Sequence, residues 1–373
     1  MPVVLRDGTP AEAGLDPGPI RDAERFLDSC TRDEPDHPRF PGAVGVLVHD
    51  GVIVEEYAIG LAVRYADAAG TELPPDQQVP ARRDTIFDLA SVTKLFTSIA
   101  VLQLVEHGRV RLDATVAHYL PQFGKPQVSV RQLLTHTSGL AADPRPPLWQ
   151  GNQGRSAVLT SPLIAEPGTY RYSDINLMTL GFLVERVTGA RLDAVVRDRI
   201  TRPLGMTDTG FGPPAAKLDR IAATEYQTAP PRGLVRGQVH DENAWALGGV
   251  SGHAGLFSTA RDLAVLGQTI LNGGSYGDAR ILRAETVRAM LTDHDDHGLG
   301  FELNRPSYMG ALASPATAGH TGFTGTAMVV DPRSRSIAIL LTNRVHPARD
   351  RGSINVARAA WATALAEASG PDA

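Results

Sequence analysis

Two strand hairpins stand at opposite ends of the chain, and their separation limits the possible folds more than any other feature. Near the start, Gly42–Gly60 (GAVGVLVHDGVIVEEYAIG) carries two apolar runs around Asp50-Gly51. That dipeptide suits the left-handed conformations of a two-residue hairpin turn. Near the end, Thr326–Pro332 (TAMVVDP) and Ser336–Asn343 (SIAILLTN) are apolar, partly β-branched runs joined by Arg333-Ser334-Arg335. Helical spacing dominates between the hairpins. Leu95, Phe96, Ile99, Leu102 and Val105 follow it, with Gly108 as a stop. Val128–Leu140 reads as a short helix ending in a turn, and Asp174–Val187 as a helix stopped near Gly189. Arg261–Leu271 and Ala284–Leu291 read the same way, Pro17–Thr31 is a further helix, and a polar loop with three prolines covers 66–84. Ser353–Ala368 closes the chain as a helix with Val356, Ala360 and Leu365 on one side. The two ends are expected to pair in one discontinuous sheet, with a helical insertion between them. The βαβ alternation of a doubly wound sheet is absent. The expected class is α+β within the broad α/β group, a mainly antiparallel sheet flanked by helices plus an all-helical lobe. Residues 1–373 are expected to form one unit, with 1–90 and 296–373 in the sheet lobe and 91–295 in the helical lobe.

Composition removes several functions. The formal net charge is −5, and no basic run appears, which argues against nucleic-acid binding. Cys30 is the only cysteine, so neither an intrachain disulfide nor a cysteine-based zinc cluster can form. No apolar run reaches the roughly 18 residues of a membrane span. No charged segment followed by an apolar stretch opens the sequence, so a cytoplasmic protein is expected.

Of 36 basic residues only three are lysines: Lys94, Lys125 and Lys217. Arginine keeps its proton in proteins, whereas a buried lysine can give it up. Lys94 is also the one lysine with a serine three residues before it, in Ala90-Ser91-Val92-Thr93-Lys94. Residues three apart share a helix face, so Ser91 and Lys94 are expected to point into the same space. The helix N-terminus favours an alkoxide at Ser91 and disfavours the ammonium form of Lys94. A neutral Lys94 could then take the serine proton. Tyr172, just before the helix at Asp174, supplies a second acid or base, and a cationic lysine nearby is expected to favour its phenolate. Gly319–Thr326 (GHTGFTGT) precedes the strand at 326–331. Its backbone N–H groups can stabilise an oxyanion, and its glycines let a substrate approach the strand.

S-x-x-K, then Tyr-x-Asp, then His-Thr-Gly, in that order, resembles the serine β-lactamase and penicillin-binding family. The layout is more similar to class C β-lactamases, DD-carboxypeptidases and family VIII carboxylesterases, where tyrosine carries the second motif. LLTHTSGL, YRYSDINLMTLGFLVE, GGVSGHAGLFSTARDLA and GHTGFTGTAMVVDP share the likeness, which runs from about Gly42 to Leu365. The resemblance implies a β-lactamase/transpeptidase-like fold with the site between a sheet-containing lobe and a helical one. It also implies Ser91 as the acylated nucleophile, Lys94 as its base and Tyr172 as the second acid or base. The oxyanion hole is then the N–H groups of Ser91 and Phe323, with His320, Thr321 and Gly322 lining the groove. Two positions depart from the family pattern. Asp174 stands where β-lactamases usually have asparagine, and an ionised carboxylate cannot donate to a substrate carbonyl. His320 replaces a lysine that would attract a substrate carboxylate. Both favour a neutral ester, thioester or amide.

The expected protein is a serine hydrolase of small acyl substrates, of carboxylesterase type, with no metal or organic cofactor. An acyltransferase, a peptide cyclase or thioesterase, and a D-amino-acid peptidase or β-lactamase are the alternatives, with a non-catalytic binding protein outside the class. Four other signals carry less. Gly273–Gly277 (GGSYG) matches a nucleophile elbow around Ser275 but follows a helix rather than a strand. His294–Gly298 offers metal-ligand types, although a solvated loop is the plainer reading. His136 is expected to stabilise a turn, while His253 can border the cleft. Trp245 and Trp149 are candidates for an acyl-pocket wall.

Overall fold

The computed structural model describes residues 2–32, 37–150, 154–294 and 296–370. Its main sheet has eight strands. Seven form a continuous order: β1 (Arg6–Asp7), β2 (Gly42–His49), β3 (Val52–Val63), β4 (Glu302–Leu303), β5 (Ala318–Thr321), β6 (Ala327–Asp331) and β7 (Ser336–Thr342), arranged β1-β3-β2-β7-β6-β5-β4. The eighth, Val79–Pro80, pairs with β3 off that path. All pairs are antiparallel except β1 with β3. The chain ends meet at β2 and β7, where Ala43 faces Thr342 and His49 faces Ser336. Asp50 and Gly51 have φ of 46° and 81°, the left-handed pair that a tight hairpin between β2 and β3 requires. The second hairpin is also present, with Arg335 left-handed in its loop.

Both faces of this sheet are covered, so its strands read as continuous apolar runs with period-two partition. Val44, Val46, Val48, Ile337, Ile339 and Leu341 enter the larger core. Ala43, Leu47, Ala338 and Leu340 enter a second core on the other face, with α1 (Pro17–Cys30) and the closing helix Asn355–Ala368. That helix differs from expectation. Ala357, Trp361, Ala364, Leu365 and Ala368 are buried, whereas Val356 is 59% exposed. Gly45 explains the choice of stripe, since a Cβ there would lie 2.5 Å from the Trp361 ring.

The helix after Ser91, α2 (Thr93–Glu106), is buried on every side through Leu104. It packs against α3 (Asp174–Thr188), which ends at left-handed Gly189. The middle of the chain is not purely helical. Phe87–Asp88, Leu256–Ser258 and Gly210–Phe211 form a small sheet, and Tyr226–Thr228 pairs with Pro231–Leu234. These strands are two to four residues long, too short to leave a periodic signal. Among the described residues no helix is long and apolar enough to cross a membrane.

Candidate active site

The small sheet delivers Asp88 to the start of a 3-10 turn, Ala90–Val92, that leads into α2. Ala90 is left-handed at φ 46°, a strained conformation for a residue with a Cβ. Asp88 restrains it. One carboxylate oxygen accepts the Ala90 N–H at 2.8 Å and the other accepts the His240 N–H at 2.6 Å. Ser91 then opens into a cleft of about 1520 Å³, shared with Tyr172, Asp174, His320, Gly322 and Phe323.

Lys94 Nζ donates to Ser91 Oγ at 2.7 Å, and the Tyr172 hydroxyl donates to the same oxygen at 3.0 Å. Lys94 Nζ also lies 2.7 Å from Asp174 Oδ1 and 3.4 Å from the carbonyl oxygen of His253. This corrects the expected charge state. Burial pushes Lys94 toward neutrality, but the Asp174 carboxylate and then Tyr172 outweigh it, so Lys94 titrates above the ordinary lysine range. Burial likewise raises Tyr172 above the ordinary tyrosine range, against the opposing pull of Lys94. At rest the site holds an ammonium and a phenol, not an amine and a phenolate.

His136 does more than hold a turn. Its Nδ1 accepts from the Ser173 N–H at 3.1 Å and lies 3.2 Å from Asn176 Nδ2, while its ring stacks on Tyr172 at 4.8 Å. His297, from the segment read as a solvated loop, is buried and stacks on Tyr170 instead. Asp296 pairs with Arg305, and Asp295 lies outside the described residues. Ser275 sits in a short strand at the end of a helix, not at a strand-to-helix elbow.

The third motif lies on β5 and beyond. His320 Nδ1 is 2.7 Å from the Thr321 carbonyl oxygen, and burial followed by the Lys94 charge pushes the ring's pKa down to about 3. It is therefore neutral, and its Nε2 is buried with no partner among the described residues. Gly322 is needed for close approach: a Cβ there would lie 2.3 Å from the Leu89 carbonyl oxygen. Thr326 and Thr324 hydroxyls donate to the carbonyls of Leu89 and Asp88 at 2.9 and 2.7 Å. The segment before Ser91 and the third motif are thus sewn together. Phe323 is 48% exposed, with its ring stacked on His240 at 5.7 Å and Arg344 over it at 4.7 Å.

Two expected cleft residues are placed elsewhere. Trp245 lies outside the cleft lining, with Arg232 4.9 Å from its ring, because the Glu242–Ala246 helix turns it away. Trp149 does line the cleft. His253 is buried behind Asp241, with Nε2 2.9 Å from Asp241 Oδ1 and Nδ1 2.8 Å from Ser251 Oγ. Asp174, Asp241 and His253 bring potential metal-ligand atoms within 4.8 Å of one another. The Lys94 ammonium already pairs with the first and His253 with the second.

Several site residues escaped sequence reasoning. Arg358 donates to the Gly322 carbonyl at 2.7 Å and to Asn355 Oδ1 at 2.8 Å, while its buried Nε has no partner among the described residues. Arg344 donates to the Phe323 and Gly352 carbonyls at 2.9 and 2.7 Å. Both line the cleft. The available signal was an arginine on the apolar stripe of the closing helix, between Ala357 and Trp361. Glu225 bridges His240 and Arg349 across more than a hundred residues, and nothing in the sequence announces that contact.

A serine hydroxyl held between a lysine and a tyrosine in an open cleft is equipped for acyl transfer through a serine ester, so by class the chain is a serine hydrolase. A family profile described as Beta-lactamase matches residues 27–362, and the chain belongs to that family. A relative from Escherichia coli K12 described as "Putative D-alanyl-D-alanine carboxypeptidase" is 37% identical over 383 residues, covering 92% of this chain and 86% of the relative. The fold is shared with EstCE1, a hydrolase with promiscuous acyltransferase activity (TM-score 0.72, 24% identity, 93% of this chain and 98% of that one). It is also shared with a penicillin-binding protein homologue from Caulobacter crescentus (TM-score 0.71, 24% identity, 95% and 99%).

Proposed function

We propose that Ser91 is acylated by a substrate bearing a free carboxylate next to the scissile bond, as a carboxypeptidase of the D-alanyl-D-alanine type requires. Ser91 Oγ attacks the carbonyl, and Lys94 and Tyr172 manage its proton. The N–H groups of Ser91 and Phe323 form the oxyanion hole, and water releases the acyl group. Thr321 and Gly322 line the path along β5, and His320 adds a neutral acceptor to the wall. The observation that carries this reading is Arg358. It is a buried guanidinium beside the third motif, with no carboxylate paired to it among the described residues. Burial and the nearby Arg344 lower its pKa to about 10. A buried, unpaired cation is costly, and a substrate carboxylate offsets that cost. The expectation of a neutral substrate rested on Asp174 and on the histidine at 320; Arg358 and Arg344, which line the cleft, answer the second point by supplying cations from elsewhere in the chain. The relative at 37% identity adds support.

A neutral ester is the second reading. It is favoured by Asp174, which when ionised cannot donate to the carbonyl of an acyl-side amide. One comparison decides between them: hydrolysis of an acyl-D-alanyl-D-alanine peptide, its C-terminal amide, and p-nitrophenyl butyrate. A kcat/KM for the free acid about tenfold or more above that of the amide is expected. Equal turnover of acid and amide, or turnover of the ester alone, sinks the carboxypeptidase reading.

A further inference from the structure

The Lys94 ammonium has no room to accept a proton. A charged lysine carries three N–H donors and no lone pair. Nζ donates to Ser91 Oγ at 2.7 Å and to the His253 carbonyl oxygen at 3.4 Å, and forms an ion pair with Asp174 Oδ1 at 2.7 Å. Before Lys94 can take the Ser91 proton, one of its own must leave. A backbone carbonyl cannot hold a proton at neutral pH, and Ser91 is the group to be deprotonated. Of the three partners only the Asp174 carboxylate can keep one. The phenol of Tyr172 already donates to Ser91 Oγ, and it can take a proton only as it gives up its own.

We infer that Asp174 is the terminal proton acceptor of acylation, and that Ser91, Lys94 and Asp174 form a two-proton relay. The inference rests on Ser91 being the acylated nucleophile. As the Oγ–C bond forms and the carbonyl π pair moves to oxygen, the Ser91 proton passes to Lys94 Nζ. At the same time one Lys94 proton passes to Asp174 Oδ1. Lys94 ends as it began, an ammonium, and Asp174 becomes a neutral acid facing the new oxyanion. When the bond to the leaving group breaks, the Tyr172 hydroxyl gives its proton to the departing atom and takes one from Lys94 Nζ, and Asp174 returns its proton to Lys94.

The surroundings favour this exchange. Lys94 is fully buried, and at low dielectric two negative charges beside it would repel more strongly than in water. The negative charge is discharged on Asp174 as it develops on the oxyanion, so the cleft never holds both. Asp241 beside it remains ionised, balanced by His253. Asp143, His136 and His320 face the same space: burial raises the Asp143 pKa and lowers those of the histidines, which keeps both imidazoles neutral. In an enzyme with asparagine at this position Lys94 would have no such acceptor and would have to start as a neutral amine.

Asp174→Asn tests the relay, read by the acylation burst with p-nitrophenyl butyrate over roughly pH 5 to 10. The fluorophosphonate adduct mass at Ser91 is measured on the native protein first. Absence of that adduct refutes Ser91 as nucleophile, separately from the relay. With the adduct present, the variant is expected to acylate about 100-fold more slowly near neutral pH, with a KM changed by less than about threefold. Its rate is expected to climb steeply with pH as Lys94 itself loses a proton. Asp174→Glu is expected to recover to within about tenfold of native. A variant with asparagine that acylates as fast as the native protein, or faster, overturns the relay, because it shows Lys94 working as a free amine. If that variant does not fold, acylation of the native protein in mixed H2O and D2O decides: two protons in flight support the relay and a single one overturns it.

Discussion

The two walls of the cleft are built by different means. On the helical wall Ser91 and Lys94 stand at the start of α2, and Tyr172 and Asp174 at the start of α3, so each pair follows from local spacing. On the strand wall Phe323, Arg344, Arg358 and His240 come from four separate segments and are held by contacts that span the chain. The helical wall carries the proton chemistry: its pairs are short, buried and strongly perturbed. The strand wall carries shape and charge: Phe323 is clamped between a ring and a guanidinium, and Arg358 waits with an unpaired charge. Asp88, Thr324 and Thr326 tie the walls together. A change on the first wall is therefore expected to alter kcat, and a change on the second to alter which substrate is taken.

Ser91→Ala removes the centre of the helical wall and is expected to lower ester hydrolysis by about 10⁴-fold or more at unchanged thermal stability; activity within tenfold of native would dissolve the contrast. Lys94→Arg keeps a cation but one that does not give up its proton, and about a 10³-fold loss in kcat is expected. The seam is weaker. Gly322→Ala would push a Cβ to 2.3 Å from the Leu89 carbonyl, so the walls must separate, and a loss of roughly 100-fold in kcat/KM should follow. On the strand wall, Arg358→Met is expected to cost about 2 kcal/mol of binding, roughly 30-fold in KM, for a free-acid substrate. A neutral ester should hardly notice; equal losses for both would make Arg358 structural.

The smallest effect concerns pH. His297 and His320 have pKa values held down to about 4 and about 3 against 6.5, chiefly by burial. The unfolded chain therefore binds more protons than the folded one between these values and 6.5. Their stabilising contribution is full above pH 6.5 and is lost as pH falls toward 3. Melting temperature measured along an acid series should drop in that window, and His297→Gln should flatten the drop.

Local rules made the helical wall legible in advance. Ser91 and Lys94 are one turn apart, lysine is scarce, and Tyr172 precedes a well-marked helix. Asp50-Gly51 marked the first hairpin, and β-branched runs marked β6 and β7. What was misread depended on surroundings. The charge on Lys94 is set by Asp174, eighty residues away in sequence and 2.7 Å away in space. Val356 was placed inside and Arg358 went unnoticed because the space left by Gly45 turns Trp361 inward and sets the buried stripe of the closing helix. Trp245 was assigned to the cleft on residue type, but its ring packs with Arg232.

By itself, then, the amino-acid order determined the family, the paired ends of the chain and the Ser–Lys–Tyr set, because periodicity and motif spacing are properties of neighbours along a chain. Only the tertiary structure decided which protons those residues hold and which charges face the substrate. Burial and Coulomb interactions act over a few ångströms of space, and the groups that meet there are separated by up to hundreds of residues of chain.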